Sequence, residues 1–283
     1  MPTRSLREDN DRIVGANIVA NGDDPTGFGL EIQTAGVDQS FTDLVGDTAL
    51  SGFTGNITDI ELADGGSKLY ATTSDGSTGR VAQFDLSTPY DVSSASFVTE
   101  EILSEDPSPE DLVITNGGST LLYVGSSSAP ASVYEYDISS AYDITTISGF
   151  TSQLDVSNET TAPTGIEIDQ SNNRLFVSGS GSTVHQYDLG GGVFPDLAGA
   201  TTPPAASYTN TTELTSISSI DIVDSGNTLL VADSDQTVHS FGLDNAYDVG
   251  STVTFGGEID LSQDVDDLRG LVDQVSEGSI YVS

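Results

Sequence analysis

The chain has 283 residues, with 44 acidic against 7 basic side chains, a formal net charge of -37, and neither cysteine nor tryptophan. The missing thiols exclude disulfides, zinc-thiolate sites and cysteine nucleophiles, and the charge argues against nucleic acid, whose phosphates would meet repulsion almost everywhere. No apolar run approaches the roughly 18 residues needed to span a bilayer, so no membrane span is expected, and the opening MPTRSLREDNDR lacks the apolar stretch of a signal peptide.

Arg4, Arg7 and Arg12 are three of the six arginines, gathered at the start of an otherwise acidic chain. Residues 1–12 read as an arm outside any repeat, whose guanidinium forks would dock on carboxylates of a neighbouring subunit. A frayed terminus with interspersed Glu8, Asp9 and Asp11 is the plainer reading. Residues 13–283 read as one domain, and its first part, 13–50, carries strand candidates at 13–20, 27–32 and 41–45.

From there a repeat takes over. Five times a polar turn is followed by an apolar couplet, ending at Tyr70, Tyr123, Phe176, Leu230 and Tyr281, in steps of 53, 53, 54 and 51. An alternating apolar run precedes each turn, for example Ile57, Ile60 and Leu62 before Asp64-Gly65-Gly66-Ser67. That is strand, tight turn, strand. A third strand follows in four units (VAQFDL 81–86, VYEYDI 133–138, VHQYDL 184–189, VHSFGL 238–243), and a weaker fourth carries Phe97, Phe150 or Phe255. Between strands three and four stand STPYDV 87–92, SSAYDI 139–144 and DNAYDV 244–249, a pattern that unit three breaks with GGGVFPDL 190–197 and Pro203-Pro204.

A four-stranded antiparallel meander repeated at this period predicts an all-β fold, a β-propeller of five blades of about 53 residues. The last unit, ending at Ile280-Tyr281-Val282-Ser283, supplies only two strands, so N-terminal strands from 13–50 are expected to complete the last blade and close the ring. A six-bladed ring with a degenerate blade before Ser51 is the second version.

Little in the residues points to catalysis. His185 and His239, the only histidines, follow the repeat valine of strand three where Ala82 and Tyr134 stand in other units, on the face of Phe84, Tyr136, Tyr187 and Phe241. Packing between blades is the expected role, against a metal or acid-base pair as the sharper one. Asp85, Asp137 and Asp188, and likewise Asp91, Asp143 and Asp248, recur at repeat positions and are expected to fix turns. Asp233-Ser234-Asp235, Asp264-Val265-Asp266-Asp267 and Asp23-Asp24 offer hard oxygen ligands, yet none has the spacing of a calcium loop. No phosphate loop, nucleophile elbow or HExxH is present. The expectation is no catalytic residue, no cofactor and no metal.

The phrases FDLSTPYDVSSASF (84–97) and YDISSAYDITTISGF (136–150) resemble the repeats, often with Trp in place of Tyr, of propeller-like proteins encoded by marine and halophilic microbes and by their tailed viruses. The resemblance spans about 51–255, fails in unit three and does not touch 1–50. It implies a non-enzymatic structural or recognition protein of a virion surface, such as a capsid turret, decoration protein or tail fibre, and a location on the particle. The implied partners are other virion or surface proteins, further copies on a symmetric site, and a host glycan or S-layer. The acidity fits a halophilic source, because molar salt shortens the Debye length to about 3 Å. A five-bladed hydrolase of a halophile's cytoplasm, a glycosidase or lactonase, is the alternative.

Overall fold

The computed structural model describes residues 17–21, 29–33, 54–125, 127–128, 130–260, 270–274 and 279–282. Arg4, Arg7 and Arg12, the strand candidate 41–45, Asp23, Asp24, Asp264, Asp266 and Asp267 lie outside the described residues. No helix among the described residues is long and apolar enough to cross a membrane.

After β1 (Asn17–Asn21) and β2 (Gly29–Gln33), which pair with each other, the strands fall into fours. Blade one is β3 (Asn56–Ala63), β4 (Lys68–Ser74), β5 (Gly79–Leu86) and β6 (Ala95–Leu103). Blade two is β7 (Pro109–Thr115), β8 (Thr120–Gly125), β9 (Ser132–Ile138) and β10 (Ile147–Asp155). Blade three is β11 (Pro163–Asp169), β12 (Arg174–Gly179), β13 (Thr183–Asp188) and β14 (Ala206–Thr209). Blade four is β15 (Ile217–Val223), β16 (Thr228–Asp233), β17 (Thr237–Leu243) and β18 (Val253–Asp260). Each is an antiparallel meander in chain order. A pair, β19 (Leu271–Gln274) and β20 (Ser279–Val282), follows.

The hydrophobic core sits between the blades. Tyr70 and Val81 of blade one pack with Leu112, Leu121 and Tyr136 of blade two. Leu122, Val133 and Leu154 of blade two meet Ile166, Leu175 and Tyr187 of blade three, and Phe176 and Val184 meet Ile217, Leu229 and Phe241 of blade four. Each such side chain contributes about 1.5–3 kcal/mol by leaving water. A blade therefore buries its second face only against its neighbour, as in other stacked repeats.

The innermost strands form a circuit: β3 lies beside β7, β7 beside β11, β11 beside β15, β15 beside β19, and β19 beside β3. Four complete four-stranded blades stand in this ring, not the five expected. At the remaining place are two separate two-stranded sheets, with β1 beside β20 and β2 beside β18. The difference is physical: these pairs are neighbours without the backbone ladder that joins strands two and three in every complete blade.

Register corrects one repeat assignment. Tyr70 lies opposite Glu61, Phe176 opposite Glu167 and Leu230 opposite Asp221, but in blade two Leu122 is opposite Val113 at that place. Tyr123, one residue on, points to the other face and stacks on Tyr134 with ring centroids 5.0 Å apart.

The two recurring motifs form one device. Gly66, Gly118 and Gly226 sit in the turn between strands one and two at φ of 78, 84 and 91°. The ring of Tyr90, Tyr142 or Tyr247 lies against each, and the tyrosine N–H donates to the glycine carbonyl at 2.9, 2.8 and 2.7 Å. Unit three has Asn172 in place of the glycine and Pro195 in place of the tyrosine, so both halves of the latch are missing together. Its turn is rebuilt all the same, because Asp196 caps Gly199 N–H as Asp143 caps Thr145 N–H, and Leu197 is buried like Ile144.

Replacing Gly118 by Ala should lower stability by about 2–5 kcal/mol, combining about 1–2 for a left-handed alanine with about 1–3 for overpacking on the Tyr142 ring. A denaturant series on Gly118→Ala, Tyr142→Ala and the double variant tests it. Losses in the double variant equal to the sum of the singles would refute the latch.

Candidate functional site

Polar side chains at repeat positions staple neighbouring blades. At the inner strands Thr58 Oγ1 donates to Pro109 O at 2.6 Å and Thr164 Oγ1 to Ile217 O at 2.7 Å. Leu112 N–H donates to Asp59 Oδ2 at 3.2 Å and Ile166 N–H to Asp111 Oδ2 at 3.0 Å. Further out, Ile144 N–H donates to Gln83 Oε1 at 2.9 Å and Val249 N–H to Gln186 Oε1 at 3.1 Å. Tyr70 OH donates to Tyr142 O at 2.8 Å, and Arg174 reaches Tyr247 O. These groups are committed to holding the ring rigid.

A register shift of the beta-bulge kind marks the start of the first strand in each complete blade. Asp59, Glu61, Asp111, Glu167 and Asp221 gather on these strands, and Ser219 of blade four reaches Asp111 of blade two at 3.3 Å. Burial raises Asp59 to about 7, and burial together with the adjacent Asp59 lifts Asp111 well above the usual carboxylate range. Buried beside each other, the two carboxyls disfavour being ionised together. Desolvation and neighbouring acids likewise raise Glu61 and Glu167. Sequence reasoning passed over these acids. Their signal was present, as acids alternating with the apolar residues of strand one in ITDIEL and GIEID.

A different arrangement occurs where unit three departs from the repeat. Its excursion through Val193, Phe194 and Pro195 leans over the end of blade two, with Asn116 Nδ2 donating to Phe194 O at 3.1 Å. Between them opens a cleft of about 710 Å³, within the range of small-ligand sites. Glu135 stands in it at the place of the staple glutamines Gln83 and Gln186. Desolvation, then Asp137 and Asp196, push the Glu135 carboxyl up to about 7. Phe194 offers an apolar ring, while Ser139, Ser148, Thr151 and Ser152 offer hydroxyls. Asp196 is already engaged, accepting from Gly192 N–H at 2.9 Å and Gly199 N–H at 3.0 Å.

The histidines divide. His185 is half-buried and its Nδ1 lies 2.9 Å from Ser207 Oγ. His239 is buried against Phe241 and Phe255 of its own blade. The structure also brings it to Asp233 and Asp235, with one ligand atom from each within 4.8 Å of the others. Among the repeated aspartates, Asp143 and Asp248 fix turns as expected. Asp85 and Asp188 instead face Lys68 and Arg174 across the ladder, at 2.6 and 3.9 Å.

Strands in a ring of four-stranded blades, with a rigid stapled interior and one departing loop, define a propeller-like protein. No protein-family model matches this chain, and no curated protein does. Among solved structures it is similar to a functionally unknown protein from Desulfotomaculum acetoxidans DSM 771, at 14% identity and a TM-score of 0.50, covering 82% of this chain. The match covers 63% of that other chain, less than two thirds of its length. At this identity the likeness is one of fold.

Proposed function

We propose that the protein is a non-enzymatic structural and recognition component of a virion surface, a capsid turret, decoration or tail-fibre propeller of a virus of a halophilic archaeon. The observation that carries this reading is the division of labour among polar residues. Repeat positions are spent on staples between blades, whereas the unit-three cleft replaces a staple glutamine with Glu135 and adds an apolar ring. Carboxylates and hydroxyls beside an aromatic face suit the vicinal hydroxyls and apolar patch of a sugar, and the acidity disfavours anions. A host glycan or S-layer glycan is the ligand proposed, and the particle is the location. In this proposal the arm bearing Arg4, Arg7 and Arg12 mounts copies on a symmetric site.

Full-length protein in molar salt, tested against a panel of immobilised glycans, should retain at least one neutral or cationic sugar. Glu135→Gln restores the residue type of blades one and three, so it should fold normally and bind at least tenfold more weakly. Equal binding by wild type and variant would overturn the cleft assignment.

One observation favours the hydrolase alternative. Glu135, pushed up to about 7 beside Asp137, is placed to hold a proton near neutrality, as a general acid must. Turnover of an aryl glycoside that disappears in Glu135→Gln with unchanged melting would decide for that reading.

A further inference from the structure

We infer that Asp233, Asp235 and His239 form a binding site for a first-row divalent transition-metal ion at the β16–β17 hairpin of blade four. One ligand atom from each lies within 4.8 Å of the other two. Two carboxylate oxygens and one imidazole nitrogen match the donor preferences of Zn²⁺, Co²⁺ or Mn²⁺, and the imidazole disfavours calcium and magnesium, which take oxygen.

The independent observation is His239 itself. It is 2% exposed, and neither ring nitrogen makes a hydrogen bond. Its Nδ1 lies 3.6 Å from Glu258 Oε2, beyond normal hydrogen-bond reach. A neutral imidazole always carries one N–H donor and one acceptor, and burying both without partners is unfavourable. The chain contains its own control. His185 occupies the same strand position in blade three, where the hairpin is Gly179-Ser180-Gly181 with no acid, and there the ring finds Ser207 at 2.9 Å. Packing alone accounts for the position of His239 but leaves its nitrogens idle, and a metal ion uses one of them.

Asp233 is held in place for this task. Thr215 N–H and Oγ1 both donate to its carboxylate at 2.7 Å, and Ser216 N–H does so at 3.2 Å. Such outer partners orient a ligating carboxylate. Asp235 is exposed on the turn, where its Oδ1 accepts from Thr237 N–H at 3.1 Å, leaving its other oxygen for an ion entering from that side. Ligand atoms around a bound ion stand roughly 3–4 Å apart given bonds near 2 Å, so Asp235 has only a short distance to close. Water would fill the remaining positions.

The test uses the two-histidine composition. Full-length protein labelled with ¹⁵N at histidine, in molar KCl to suppress diffuse binding by the other acids, is titrated with Zn²⁺ and its imidazole nitrogens are followed by NMR. The expected result is saturation at one equivalent, with one His239 nitrogen moving to a metal-bound shift and His185 unmoved. Asp235→Asn, changed at an exposed position, should fold and bind at least tenfold more weakly. His239→Gln should abolish the one-equivalent event. A His239 signal that does not move, a shift of both histidines in parallel, or undiminished affinity in Asp235→Asn would each overturn the site and leave adventitious surface binding only.

Discussion

Deleting residues 1–35 should convert a cooperative thermal transition into a broad one accompanied by aggregation. The deleted stretch contains β1, beside β20, and β2, beside β18. Removing it takes away the neighbours of β20 and β18, and the uncovered strands become templates for pairing with another chain. The interior is also at risk, because each blade buries apolar area only against the next. Calorimetry and light scattering read the outcome. A truncated protein that melts as sharply as the intact one would show that the ring holds together without its N-terminal strands. Deleting only 1–12 removes Arg4, Arg7 and Arg12, spares β1, and should leave the melting transition unchanged.

Stability at pH 7 should climb steeply from low to molar salt. The formal charge of -37 sets up self-repulsion throughout the folded chain, and raising ionic strength from 0.1 to 1 M cuts the Debye length from about 10 to about 3 Å. Each kcal/mol regained should show as about 2–4 °C in melting temperature for a chain of this size. An unchanged melting point over that range would remove the physical basis for a halophilic source. Proton binding gives a second handle on the same acids. Asp59 is raised to about 7, with Asp111, Glu61 and Glu167 also raised, so between the ordinary carboxylate range and pH 7 the folded state binds more protons than the unfolded one. Stability is then greatest near the ordinary carboxylate pKa and is lost as pH rises toward 7. Asp59→Asn should flatten that slope while leaving the salt dependence of the exposed acids in place.

Much of the fold was legible from the chain because strands announce themselves locally. Alternation with period two marks the first three strands of each complete blade and the fourth in blades one, two and four, but not β14, and Gly-Gly turns mark the first hairpins of blades one and two. The shared STPYDV and SSAYDI phrases signalled a repeated connection, although only the structure showed that their tyrosine seats on the turn glycine. Unit three looked broken on the page, since Asn172 and Pro195 replace both members of that pair. In space it keeps the turn through Asp196 and Leu197.

What the linear order could not supply was the partner of each polar group. Asp59 sits among strand residues that look ordinary, and its meaning depends on Leu112 N–H and Asp111, more than 50 positions away and delivered by the packing of blade two on blade one. Glu135 differs from Gln83 and Gln186 by one functional group. It became a candidate site residue only when the Val193–Pro195 excursion was found over it, leaving a carboxyl where a staple amide would otherwise be used. Periodicity puts His239 on the face of Phe241, while its approach to Asp233 and Asp235 requires a hairpin to fold back. Blade periodicity and the repulsive charge are properties of composition and short-range order, so the sequence alone determines them. Blade count, staples and the chemistry of the acids depend on contacts across the ring, where burial sets the protonation of a carboxyl and only the tertiary structure decides which are buried.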